Sequence, residues 1–122
     1  MKQKIENMTA YLDAAIARCT EQEKALIADE RKDEAIFEKI RANVYNIYRT
    51  ILGVAVQNCG EDANRIRERF LKQIEHIPAS WNASHDAARQ YNDTAKVQIE
   101  EIKLAVVQEI KAEFTKIWEG NP

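Results

Sequence analysis

Apolar residues recur every three to four positions along almost the whole chain, the spacing of helices that bury one face. The stretch from Ala35 to Gly60, AIFEKIRANVYNIYRTILGVAVQNCG, carries the strongest such pattern. Placed at about 100° per residue, Ile36, Ile40, Val44, Ile47, Ile51 and Val54 fall on one stripe. Phe37, Tyr45, Tyr48, Leu52 and Ala55 widen that stripe well beyond the usual arc of roughly 100°. So broad an apolar surface needs neighbours on more than one side, which predicts the central helix of a small all-α domain.

Three further segments share the period. Between Lys2 and Ala28, Ile5, Met8, Leu12, Ala15, Ile16, Cys19, Leu26 and Ile27 form a narrower stripe. The polar cluster Asp29 to Asp33 separates this segment from the central helix without Gly or Pro, and Asp33 is the predicted N-cap. Gly60 is a C-terminal stop signal, whereas Gly53, inside the helix, predicts close approach of a neighbouring helix. From Asp62, the positions Ala63, Ile66, Phe70, Ile74 and Ile77 share a face until Pro78. Ser80 can cap a continuation in which Trp81, Ser84, Ala88 and Tyr91 line up. After the cap cluster Asn92-Asp93-Thr94, the last segment presents Ala95, Ile99, Ile102, Val106, Ile110, Phe114 and Ile117. A secondary stripe, Val97 and Leu104, falls where the 80–91 segment would cover it. Four rods of similar length joined by short turns predict an all-α, up-and-down four-helix bundle, its third helix broken near Pro78.

Composition narrows this picture. A length of 122 residues suits one domain, residues 1–122, with one core, and three glycines and two prolines favour long helices. Eighteen Lys and Arg against 20 Asp and Glu leave a formal charge of −2, which gives no electrostatic reason to bind nucleic acid or anionic lipid. Lys2 and Lys4 are followed by Glu6, Asn7, Thr9 and Asp13 in place of an apolar signal region. The longest aliphatic run, Ile51 to Val56, is far below the roughly 20 residues of a membrane span. The expectation is a soluble cytoplasmic protein. In an antiparallel pairing of the first two helices, Cys59 lies roughly 24 Å from the level of Cys19 at 1.5 Å per residue. No internal disulfide is expected, with Cys19 in the core and Cys59 the exposed thiol.

Candidate chemistry is sparse. Di-iron bundles need Glu-x-x-His on two helices, and the nearest match, Gln73 to His76, has the wrong first ligand. His76 and His85 flank Pro78 with Glu75 and Asp86 close in sequence, which leaves a metal or small-ligand cleft at the break, with Trp81 and Tyr91, as an alternative. Neither cysteine shares an element with a histidine, and the glycines are isolated, so no nucleophilic pair or phosphate loop forms. No catalytic, cofactor or metal residue is assigned, and the expectation is that the protein is not an enzyme. Arg65, Arg67, Arg69 and Lys72 alternate with acids, which argues against the remaining alternative, a nucleic-acid-binding regulator. Tyr45, Tyr48, Trp81, Tyr91 and Trp118 lie on stripe edges, where such rings close the boundary of a core; the alternative is that some of them, Trp118 first, form an interaction surface for a protein partner or a second copy.

The run ERKDEAIFEKIRANVYNIY, with the later IPASW and IEEIKLAVVQEIKAEFTKIW, resembles short all-helical bacterial proteins that carry no assigned activity. The resemblance implies an all-α fold and a bacterial cytosol, and it transfers no functional residue. The function expected from the sequence is protein–protein contact or homo-oligomerisation.

Overall fold

The four periodic segments fold as four helices in a computed structural model of the protein, which describes residues 2–60 and 62–120. They are α1 (Lys2–Ala28), α2 (Lys32–Cys59), α3 (Ala63–Gln90) and α4 (Thr94–Glu119), and no strand occurs among the described residues. Each helix packs antiparallel on the next and α4 closes on α1, an up-and-down bundle. Across the bundle α2 also reaches α4, whereas α1 and α3 do not meet. None of the described helices is long and apolar enough to cross a membrane.

The two turns at one end of the bundle use the same motif. Arg31 N–H reaches the Leu26 carbonyl (2.8 Å) and Glu30 N–H that of Ile27 (3.0 Å), with Glu30 at φ +61°. Asp93 and Asn92 repeat the pattern on Ala88 and Arg89, with Asn92 at φ +57°. Asn tolerates this left-handed conformation; Glu adopts it at a cost of roughly 1 kcal/mol. That is how a turn without glycine closes between α1 and α2. The α2 cap is therefore Arg31, without a side-chain bond, and Asp33, the predicted N-cap, lies inside the first turn with Glu34. Asp62 and Asp93 cap α3 and α4 by accepting from Arg65 N–H and Lys96 N–H.

At Pro78 the structure corrects the expected break: α3 runs from Ala63 to Gln90 as one helix. The ring removes one donor from the Ile74 carbonyl. It is buried, and lines a shallow groove with Leu104 and Val107 of α4. Ser80 does not cap anything; its hydroxyl donates back to the Ile77 carbonyl within the helix.

The core is densest toward the end holding the α2–α3 turn. Phe70 and Phe114 stack at 4.3 Å, Phe114 and Trp118 at 4.5 Å, and Tyr48 meets Phe70 edge-on at 5.8 Å. Met8, Leu12, Leu52, Ile66 and Ile110 fill around them. Toward the opposite end the inner rows turn polar. Glu38 stands seven residues before Tyr45, and Glu100 seven before Val107, and both carboxylates are buried. Arg41 bonds Glu38 and Lys103 bonds Glu100 at 3.1 Å, while Glu100 Oε2 has no hydrogen-bond partner among the described residues.

Two further expectations are corrected here. Cys59 is buried, because it continues the inner row Tyr45–Leu52 by one more heptad; both cysteines are free. Gly53 is exposed, and a Cβ there would meet nothing within 4 Å, so no neighbouring helix requires it.

Candidate interaction face

The direction in which α2 faces the core decides which of its apolar residues are left over. Val44, Tyr45, Tyr48, Leu52 and Ala55 point inward and are buried. The sequence pattern put Ile36, Ile40, Val44, Ile47, Ile51 and Val54 on one stripe; the structure buries Val44 and corrects the rest, a row that lies on the flank of α2 next to α3. Ile36 is 51% exposed, Ile47 37% and Val54 48%, with Ile40 and Ile51 half-buried beside them. Ile36, Ile47 and Val54 fall within about 20° of one another on the helix and span about 27 Å. Asn43 and Thr50, exposed in the same row, carry no charge. The row ends in a groove of about 480 Å³ between α2 and α3, floored by Ile51, Val54 and Ala55 and rimmed by Arg69 and Lys72. A contiguous exposed apolar row with a polar rim is the usual mark of a surface that meets another molecule.

The predicted surface aromatics distribute differently. Tyr45, Tyr48 and Trp118 are inside the protein and cannot contact a partner. Each ring is buried because its polar atom finds an acceptor there. Tyr48 donates to the Gln73 carbonyl (3.1 Å), Trp118 Nε1–H to that of Ala63 (3.2 Å), and Tyr45 to Glu109 Oε2. Trp81 is half-buried beneath the Lys103 ammonium, 5.2 Å from its ring centre. Tyr91 alone of the five is mostly in solvent, because it sits on the α3 C-terminus just beyond its last turn.

A second concavity lies on the other side of α2, between α1, α2 and α4. It has a volume of about 520 Å³ and is lined by Arg18, Cys19, Glu38, Arg41, Tyr45 and Glu109, among others. Tyr11 also donates to Glu109 Oε2 (2.5 Å) and meets Tyr45 edge-on. Burial first, and then the Glu109 carboxylate, push both phenols well above the ordinary tyrosine range. Burial and Glu38 likewise push the Cys19 thiol up, so it is held protonated and a poor nucleophile. In this lining Glu109 accepts from Tyr45 and from the neighbouring Tyr11, and Glu38 bonds Arg41. Glu38 and Glu109 escaped the sequence reading, although Glu38 announces itself as an acid on the same heptad row as Tyr45 and Leu52.

The histidines do not converge. Nine residues apart on one continuous helix, His76 and His85 are separated by roughly 13.5 Å along the axis and by half a turn around it. His76 is exposed, and His85 pairs with Glu101 at 3.1 Å. No cluster of three metal-ligating side chains occurs among the described residues. The groove at Pro78 is lined by neither histidine and by neither Trp81 nor Tyr91. Of the basic run on α3, Arg67 pairs with Glu119, and Arg69 and Lys72 stand at the α2–α3 groove. Comparison of the chain with family models, curated proteins and solved structures gives no match.

Proposed function

We propose that this is a cytoplasmic, non-enzymatic helical bundle that works by contact with another protein chain, made through the outer flank of α2. The observation that carries the reading is the uncharged row Ile36, Ile40, Ile47, Ile51 and Val54, apolar surface that the bundle leaves partly in water. Burying it in an interface releases the water that folding left on it, at roughly 25 cal/mol per Å². A photo-reactive cross-linking side chain at position 47, in cells that make the protein, tests the reading. It is expected to join the chain to a protein, whereas the same group at the exposed position 112 on α4 is expected not to. Equal yields from the two positions, or none from either, contradict the reading.

A second reading, a small-ligand bundle, is favoured by one feature: the groove between α1, α2 and α4 has a volume within the range of about 300–1,000 Å³ typical of ligand sites. Its lining holds Arg18 and Arg41 as well as Glu38 and Glu109, charges of both signs that suit a small zwitterion. A rise in melting temperature with an amino acid or a small dipeptide, abolished by Arg18→Ala, would support it.

A further inference from the structure

We infer that the chain covering the α2 flank is a second copy of this protein, packed α2 against α2, antiparallel about a two-fold axis. The inference rests on the contact reading above and adds the identity and orientation of the partner.

The row reads almost the same in both directions. With the axis at the level of Tyr45, Ile36 of one copy lies opposite Val54 of the other, Ile47 opposite Asn43, and Ile40 opposite Thr50, one residue from Ile51. An isologous contact requires this of a surface: one patch complementary to itself after a half-turn. A helix with its apolar residues gathered at one end would not satisfy it.

Charge selects the same orientation. The N-terminal end of the row is flanked by the α1–α2 turn, where exposed Asp29, Glu30, Asp33 and Glu34 outnumber Arg31 and Lys32, and Arg31 already pairs with Glu34. The C-terminal end is flanked by Arg69 and Lys72 on α3, neither of which is in an ion pair among the described residues. An antiparallel dimer brings each acidic turn to the end of the seam that holds the partner's basic rim, twice by symmetry. A parallel dimer would set acid on acid and base on base, an arrangement that costs free energy. The α3 rim also enlarges the contact beyond a single helix seam, toward the roughly 800 Å² per partner of a stable dimer.

Light scattering on the purified full chain, up to about 1 mM, tests this. The expected mass is twice 14.1 kDa, falling to the single-chain mass on dilution. Ile47→Glu is expected to be monomeric with an unchanged helical spectrum. Asp33→Arg, and separately Arg69→Glu with Lys72→Glu, are expected to weaken the dimer about tenfold or more, and the combined variant to recover most of that loss. A single-chain mass at every concentration overturns the inference, as does a dimer indifferent to Ile47→Glu; charge reversals that fail to compensate overturn the antiparallel arrangement. Monomeric protein whose position 47 still cross-links to a different protein removes the second copy and leaves the contact reading standing, whereas loss of both signals removes both.

Discussion

The inner and outer flanks of α2 are built from nearly the same residue types and have opposite fates. Val44, Tyr45, Tyr48, Leu52 and Ala55 are buried, while Ile36, Ile47 and Val54, centred roughly 120° round the same cylinder, meet water. Hydrophobicity alone does not distinguish them; by side-chain scale the outer row is the more apolar. The inner flank holds the two tyrosines, whose hydroxyls need acceptors out of solvent and find them on Gln73 and Glu109. Directional bonds, together with the Phe70–Phe114–Trp118 stack that Tyr48 joins, fix the rotation of the helix. The non-directional residues take the place that remains. What folding leaves over on such a helix is available for association.

This contrast is sharpest under truncation. Leu52→Ala is expected to cost about 2–5 kcal/mol in denaturant unfolding, because the surrounding core cannot collapse into the space. A loss under about 1 kcal/mol would mean that the inner flank is loosely packed.

Alkaline pH attacks the inner flank, through Tyr45 and Tyr48, together with Tyr11 of α1, and spares the outer row, which has no titratable group. Burial pushes Tyr48 up to about 12, and burial with Glu109 pushes Tyr11 and Tyr45 higher. Because the folded values are raised, their stabilisation is complete below about pH 10, where unfolded tyrosine begins to ionise, and is lost as pH climbs toward the folded values. Urea unfolding between about pH 9 and pH 11 should fall by on the order of 1 kcal/mol per buried tyrosine, and Tyr48→Phe should remove its share. A flat profile would place these hydroxyls in water.

Backbone changes away from both flanks should stabilise. Gly53→Ala adds a Cβ into open space within a helix, for a gain of about 1 kcal/mol in thermal or urea unfolding. Glu30→Gly relieves the left-handed turn by a similar amount, roughly 1 kcal/mol. If Gly53→Ala destabilises, a neighbour closer than the structure places it must be present.

The smallest effect is expected on the outer row. Measured at high dilution, Ile47→Ser should change stability by less than about 0.5 kcal/mol. A loss near that of Leu52→Ala would erase the distinction between the flanks.

The architecture was legible in the sequence because four apolar periods separated by polar clusters admit few arrangements other than a bundle. The rotation of α2 was not, because a helix apolar over most of its circumference has no unique inward direction until its polar atoms are placed. The same cause hid Tyr45, Tyr48 and Trp118, whose amphipathic rings suit a boundary as well as a core; what buried them was an acceptor on another helix. Pro78 misled because its steric cost is local, while the packing of α3 on α4 holds both sides of it. Glu30 was unreadable as a turn residue, since nothing in its chemistry favours a positive φ. Glu38 and Glu100 are acids on heptad rows of apolar residues, yet the alternation of Glu100 with Lys103 reads as a solvated face, and the structure corrects that by burying it.

The most direct test of the division between the flanks is the urea midpoint as a function of protein concentration over about a hundredfold range. Association through the outer row stabilises the folded chain by mass action, so the midpoint should rise with concentration in the wild type and stay constant in Ile47→Glu. A midpoint independent of concentration in the wild type, or one that rises equally in both proteins, would contradict it.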